Sequence, residues 1–145
     1  MRKSISGFTI VELLIVVVVI GILASIVTVA YTGITTQAKN LKTIAAVDSW
    51  AKAIQLYRIE NGSFPTINSC LGKTTTYPDN GYCWDGTGWD VKGTFLAQMD
   101  PYINGNYPEP DTTSVLSTQP NRRGAFYHIV STSVHQIRAF FAGVT

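Results

Sequence analysis

The feature that most constrains the fold is an uncharged run of 18 residues, Leu13–Ala30, close to the start of the chain. As an α-helix rising about 1.5 Å per residue, this run would be about 27 Å long, close to the ~30 Å hydrocarbon core of a bilayer. Valine and isoleucine dominate the run, and they suit a lipid-embedded helix whose backbone must satisfy its own hydrogen bonds. The sequence therefore predicts a helix able to cross a membrane once.

Two basic residues and one acid stand on the short N-terminal side of this run. Arg2 and Lys3 predict that the N-terminus stays in the cytoplasm and that the rest of the chain is exported. Glu12 borders the apolar run, and at the centre of a membrane helix a carboxylate would cost roughly 2.5 to 3.5 kcal/mol. An acid in this position is by default a functional-site hypothesis.

Three interpretations of the N-terminal segment compete. It could be a secretory signal peptide, cleaved after the small residues at 28–30, or a plain signal anchor that stays in the membrane. Neither of these has a use for Glu12. In the third interpretation, residues 7–16 (GFTIVELLIV) resemble the processing motif of type IV prepilins and of the related pseudopilins of type II secretion.

The resemblance implies a set of processing and assembly residues. A prepilin peptidase would remove the leader, residues 1–7, by cutting between Gly7 and Phe8, and the new amino terminus of Phe8 would be N-methylated. Phe8 and Glu12 would then direct filament assembly. Residues 8–31 would form the transmembrane and polymerisation half of one long helix, and residues 32–145 its amphipathic half plus a globular pilin head.

The resemblance also implies partners and a location. The precursor would be a single-pass protein of the cytoplasmic membrane, and the mature chain would form a homo-oligomeric helical filament at the cell surface. Minor pilins, the prepilin peptidase and an inner-membrane assembly platform would be its partners. A type IV pilus of this kind serves twitching motility, adhesion or DNA uptake.

Two alternatives to a type IV pilus subunit remain open. Residues 57–65 (YRIENGSFP) also resemble the helix end of the major pseudopilins, so a type II secretion pseudopilin is the first alternative. The second alternative is a membrane-anchored binding module that does not polymerise.

Elementary electrostatics gives Glu12 a role without the family. A cut after Gly7 would leave an ammonium on Phe8, four residues before Glu12 and therefore on the same helical face. In an isolated subunit both charges would be incompletely paired, and the ammonium of a second subunit would neutralise Glu12 at a fixed axial register. The alternative is that Glu12 lies in the headgroup layer and has no role.

Beyond residue 31, apolar residues recur at helical spacing. We expect a single helix over Phe8–Asn61, ending at Gly62 in a left-handed cap with Pro65 just beyond. The apolar stripe predicted for its second half is Ile34, Ala38, Leu41, Ala45, Ala51, Ile54 and Tyr57.

Residues 63–145 can form one small core if the helix donates an apolar face. We expect a turn-rich loop over Ser63–Asp90, a short helix over Thr94–Asp100 stopped by Pro101, and a further strand around Val115. Two β-rich runs, 124–132 and 135–144, predict an antiparallel hairpin. The fold class is therefore α+β, a long N-terminal helix packed against a small antiparallel C-terminal sheet, which is the type IV pilin fold.

Cys70 and Cys83 predict a disulfide, because two nearby cysteines in an exported protein are most simply oxidised. Asp79, Asp85 and Asp90 offer oxygen ligands for a calcium hypothesis. Their spacing does not fit an EF-hand loop, and aspartate also favours turns for conformational reasons. The sequence predicts no resident metal or cofactor.

Composition and motifs argue against two function classes. Eleven Lys and Arg against nine Asp and Glu form no basic patch, so nucleic acid would bind only through a filament. No nucleophile, phosphate-loop or paired-carboxylate motif appears, so we expect no enzyme. His128 and His135 are expected to be half-buried and satisfied, and Trp50, Trp84 and Trp89 to be packing residues more than a sugar-binding surface.

Overall fold

The computed structural model describes residues 8–77, 81–84, 89–113 and 122–141, with the backbone alone at 28–30. Its elements in chain order are α1 (Ile10–Asn61), β1 (Ser69–Cys70), a 3₁₀ turn (Thr74–Thr76), β2 (Tyr82–Trp84), β3 (Trp89–Asp90), α2 (Gly93–Ile103), β4 (Ala125–Ser131) and β5 (Val134–Ala139). The chain divides into two units, Met1–Thr36 and Gln37–Thr145, and α1 contributes to both. The α+β class predicted from the sequence is confirmed.

The long helix α1 has 52 residues and ends where the sequence predicts. Gly62 follows it with a φ of 72°, a left-handed conformation that favours glycine. The Gly62 N–H donates to the carbonyl of Arg58 at 2.9 Å, which satisfies one of the last helical acceptors. The helix begins at Ile10, two residues later than expected, because Thr9 caps it.

The main sheet has three antiparallel strands in the order β1-β4-β5. The β4-β5 hairpin confirms the predicted C-terminal pair, with Ala125 opposite Ala139 and Tyr127 opposite Ile137. The third strand is β1, in which Ser69 lies opposite Tyr127. The expected strand around Val115 falls outside the described residues.

The predicted loop 63–90 contains more structure than its turn residues indicate. It supplies β1 and a small antiparallel pair, β2-β3, and the Cys70–Cys83 disulfide joins β1 to β2. Both cysteines are fully buried, with their Cα atoms 5.7 Å apart. The disulfide predicted from the sequence is therefore present, and it holds the small hairpin beside the main sheet.

The hydrophobic core of the second unit lies between α1, α2 and the main sheet. Its fully buried centre consists of Trp50, Ile54, Leu71, Phe95, Met99, Ala125 and Tyr127. A second cluster surrounds the disulfide and consists of Cys70, Tyr77, Cys83, Val91 and Phe126. One face of α1 and one face of the main sheet therefore share the first of these clusters, as the pilin-like expectation requires.

The buried face of α1 differs from the predicted stripe. Ile54 is buried, but Leu41 is 57% exposed and Ala38 and Ala45 are exposed as well. The buried positions of this helical segment are Thr43, Ala46, Trp50, Ala53 and Ile54. Trp50 sets this face because its large ring fills the core while its Nε1–H donates to the carbonyl of Pro108 at 2.8 Å.

The predicted stop at Pro101 was also wrong, since α2 continues through it to Ile103. Proline lacks an N–H and disfavours a helix interior, so the last turn needs compensating contacts. Tyr102 supplies them, because its ring packs edge-on against Tyr57 at 5.7 Å and its hydroxyl donates to Glu60 at 2.8 Å. Asn104 then ends the helix in a left-handed conformation with a φ of 50°.

Candidate functional site

The first turn of α1 is held by a reciprocal capping box between Thr9 and Glu12. The backbone N–H and the hydroxyl of Thr9 both donate to Glu12 Oε2 at 2.8 Å. In return, the Glu12 N–H donates to Thr9 Oγ1 at 3.3 Å. This is the Thr-x-x-Glu arrangement that satisfies two otherwise unpaired helical N–H groups. Glu12 therefore already has a structural role in the single chain.

This geometry changes the expected relation between Phe8 and Glu12. Phe8 and Thr9 precede the helix, so Phe8 does not lie one helical turn before Glu12 on the same face. The other carboxylate oxygen, Oε1, makes no hydrogen bond within the described part of the chain. One half of the carboxylate is therefore committed to the cap, and the other half is open to a partner.

The helix surface that follows is apolar on every side. Its large apolar side chains, from Phe8 to Val27, are between 48% and 86% exposed. By length and composition α1 can cross a membrane. None of its most apolar 18-residue window is buried against the rest of the described chain. Apolar surface of this extent is unfavourable in water, so it requires lipid or neighbouring protein.

The other predicted site residues fall in different places. Phe8 is 80% exposed at the start of the described chain, and Gly7 lies outside it. Of the three acids named as possible calcium ligands, Asp79 and Asp85 also lie outside the described residues. The third acid, Asp90, forms an ion pair with Lys92. The structure therefore does not bring the three acids together as a described site.

The two histidines differ in their environments. His135 lies with Nδ1 2.6 Å from the Tyr127 hydroxyl, in agreement with the expectation of a satisfied, half-buried ring. His128 packs edge-on to Trp89 at 4.9 Å, and its buried Nδ1 has no hydrogen-bond partner among the described residues. Both rings are half-buried as expected, but the expectation that each is satisfied fails for Nδ1 of His128.

Sequence reasoning missed Thr9 as a functional side chain. Its signal was present, because a threonine three positions before a glutamate at the start of an apolar run is the sequence signature of a capping box. The candidate site is therefore the pair Thr9 and Glu12 at the head of an exposed apolar helix.

The chain is similar to known proteins at its N-terminus and along much of its length. The family model of the prokaryotic N-terminal methylation motif matches residues 2–28. The type II secretion system core protein G of Klebsiella michiganensis is 28% identical over 128 residues, which are 77% of this chain and 90% of that protein. No solved structure matches the chain significantly.

Shorter matches include a second type II secretion protein and a fimbrial protein. The core protein G of Vibrio cholerae is 35% identical over 80 residues, 55% of this chain and 54% of that protein. A fimbrial protein of Neisseria meningitidis is 33% identical over 94 residues, 65% of this chain and 48% of that protein. The chain thus spans about half the length of these two relatives. The methylation motif, the fold and these relatives together support the family of type IV pilins and type II secretion pseudopilins for this chain.

Proposed function

We propose that this chain is a filament subunit that waits in the cytoplasmic membrane and polymerises through the first half of α1. The observation that carries the proposal is the exposed apolar helix with a half-committed carboxylate at its head. Lipid covers such a surface before assembly, and the helices of neighbouring subunits cover it afterwards. The Glu12 carboxylate favours the move of the helix from lipid into the filament and fixes its axial position there.

Glu12 acts on a second subunit through its open oxygen. After a cut between Gly7 and Phe8, the ammonium of an incoming chain pairs with Oε1 while Oε2 keeps its bonds to Thr9. An isolated carboxylate is costly in an apolar environment, and a hydrogen-bonded partner of opposite charge offsets that cost. Docking is therefore favoured at the one axial position where the two charges meet.

A type II secretion pseudopilus is the first filament to test. Its support is the secretion name carried by the Klebsiella and Vibrio relatives. A type IV pilus used for motility, adhesion or DNA uptake is the second candidate, supported by the fimbrial relative in Neisseria. Deleting the gene and measuring exported proteins and surface filaments separately distinguishes the two, because only a pseudopilin should be needed for secretion.

Substitutions at the capping box separate the charge of Glu12 from its hydrogen bonds. Glu12→Gln keeps an acceptor for Thr9, since glutamine also serves in a capping box, but removes the charge. We expect it to reduce filament yield at least tenfold while membrane insertion is unchanged. Thr9→Ala is the matched control, because it weakens the cap and leaves the charge in place.

Filaments, measured by electron microscopy and by the chain recovered from sheared material, give the readout. Normal filaments from Glu12→Gln would contradict the charge role, and a loss confined to Thr9→Ala would assign Glu12 to capping alone. Mass spectrometry of the sheared chain tests processing. A methylated chain that begins at Phe8 supports the proposal, whereas an intact Met1 confined to the membrane supports an anchored module that does not polymerise.

A further inference from the structure

A column of packed aromatic rings runs from the core of the second unit to its surface and ends on Arg58. The centroid distances along it are Trp50–Phe95 5.8 Å, Phe95–Tyr127 5.5 Å, Tyr127–His135 5.9 Å and Phe64–His135 4.6 Å. The guanidinium carbon of Arg58 then lies 4.6 Å from the centre of the Phe64 ring. The column fixes the position of an otherwise flexible side chain at the surface.

The N–H donors of the Arg58 guanidinium are unused within the described part of the chain. It makes no hydrogen bond or ion pair with any residue that the structure describes, and its contact with Phe64 uses the ring face and not the N–H groups. Glu60, two residues further along α1, accepts a hydrogen bond from the Tyr102 hydroxyl at 2.8 Å. A guanidinium held by stacking, with its donors free, is preorganised to bind a carboxylate through two parallel hydrogen bonds.

Strand β5 lies beside this guanidinium and is the edge of the main sheet in the described chain. The N–H of Phe140 donates to Gly124, and the register places these two residues directly opposite each other. Because hydrogen-bonded pairs alternate in an antiparallel ladder, the backbone groups of His135, Ile137 and Ala139 point away from β4. They form a row of donors and acceptors open to another strand.

Two cavities flank the Arg58–Phe64–His135 contact. One, of about 390 Å³, lies between α1 and β5 and is apolar at its base, where Val47, Ala51 and Ile54 line it. The other, of about 600 Å³, lies by the end of α1 and the β4-β5 turn. Its lining includes the hydroxyl residues Ser63, Thr66, Thr132 and Ser133. The two cavities, the cation between them and the outer edge of β5 form one groove, and both cavities are lined mainly by apolar surface.

We propose that this groove binds an extended peptide segment of a partner protein, which adds a strand to β5 and places a carboxylate on Arg58. Side chains of an added strand alternate between its two faces, so residues two or four apart face α1 together. One of them fills the apolar cavity and the other is Asp or Glu. The peptide sequence that the groove recognises therefore has an apolar residue two or four positions from an acid. Binding of this peptide does not require the chain to polymerise.

The test uses the full chain in detergent micelles as bait for a random seven-residue peptide library displayed on phage. Enriched peptides are expected to carry an acid two or four positions from an apolar residue. A labelled synthetic copy of the most enriched peptide is then titrated by fluorescence anisotropy. Arg58→Gln should weaken its binding about tenfold, whereas Lys42→Gln, which removes an exposed cation from the same helix, should leave it unchanged.

Strand addition is tested separately from the charge. Ala139→Pro removes an outward-pointing N–H without breaking a bond to β4, a change that edge strands tolerate. It should abolish peptide binding while Ala139→Ser, which keeps the N–H, binds normally. Hydrogen exchange gives a readout without mutation, since bound peptide should slow the amides of His135, Ile137 and Ala139. Enriched peptides without acids, equal binding by Arg58→Gln, or no slowing of these amides would overturn the proposal.

Discussion

At the scale of single residues, Glu12 combines an observed helix cap with a proposed role in assembly. Its charge is evident in the sequence, and so is the Thr-x-x-Glu spacing that makes it a helix cap. The division of labour between its two oxygens depends on where the helix begins, and periodicity locates a helix start only within a few residues. The sequence therefore predicts that Glu12 is important, but not which of its two carboxylate oxygens is available to a partner.

Gly124 is the described glycine whose replacement should most disturb the head. It has a φ of +69°, and a Cβ placed there would lie 2.6 Å from Cε1 of the buried Tyr77. Gly62 has a similar φ of +72° with nothing within 4 Å of such a Cβ, so it is the matched control. We expect Gly62→Ala to cost about 1 kcal/mol of unfolding free energy from backbone strain alone.

Gly124→Ala adds a collision to the same strain and should cost about 3 kcal/mol in total. Urea unfolding of the full chain in detergent, followed by tryptophan fluorescence, measures both variants. Equal losses for the two glycines would show that Tyr77 moves aside freely, in contradiction to its close packing.

Tyr77 and Tyr127 predict how the head responds to alkali. Burial raises the pKa of both hydroxyls above the ordinary tyrosine value of about 10. The unfolded chain therefore ionises first as the pH rises, and unfolding releases protons. Stability from this source is fully present below about pH 10 and falls as the pH rises further.

Tyr77→Phe separates this alkaline effect from ordinary packing. The hydroxyl lies 2.7 Å from the Leu71 carbonyl and 3.0 Å from that of Ala125, so its loss should cost about 1 to 2 kcal/mol at pH 7. Between pH 10 and 12 the variant should lose stability less steeply than the parent. Unfolding curves at several pH values test this, with the exposed Tyr31→Phe as control. An unchanged slope would contradict the assignment.

At the scale of elements, α1 shows what helical periodicity can and cannot resolve. The spacing of apolar residues predicts its length and its end at Gly62, because both depend on local preferences. It does not predict which of two apolar faces meets the core, since Leu41 and Ala46 belong to equally plausible stripes. The choice depends on Trp50 reaching Pro108, a contact between residues distant in sequence.

The face of α1 that the sequence pattern wrongly placed in the core is expected to contact neighbouring subunits in the proposed filament. Leu41 and Ile44 remain 57% and 51% exposed on the part of α1 that belongs to the head. We expect Leu41→Gln with Ile44→Gln to leave the unfolding free energy within about 0.5 kcal/mol, as exposed substitutions usually do, but to reduce filament yield. Lys42→Gln, between them in sequence, is the control that should change neither quantity. A large loss of stability would instead place these side chains in a contact within the chain.

The short strands β1, β2 and β3 show a further limit of sequence patterns. Strands of two or three residues are too short to display alternation, and the turn residues around them predict a loop. What stabilises them is non-local: β1 pairs with β4, and the disulfide joins Cys70 to Cys83. The cysteines were the visible sign that this segment is ordered.

At the scale of the whole molecule, the proposed assembly surface and the proposed recognition groove fall on different units of the chain. The described residues of the first unit include no buried side chain, and both core clusters lie within Gln37–Thr145. The motif at the N-terminus therefore predicts assembly independently of the head. The groove beside Arg58 depends on tertiary contacts and carries no sequence signature of its own.

This division predicts that the second unit folds without the first. A chain that begins at Gln37 retains every member of both core clusters, and none of the described side chains that it loses is buried. We expect it to be soluble without detergent, to unfold cooperatively at a temperature close to that of the full chain in micelles, and to form no filaments. Circular dichroism and analytical ultracentrifugation test the first two expectations, and electron microscopy tests the third. A truncated chain that is unfolded would mean that the first half of α1 supports the head, whereas filaments from it would place the polymerisation surface elsewhere.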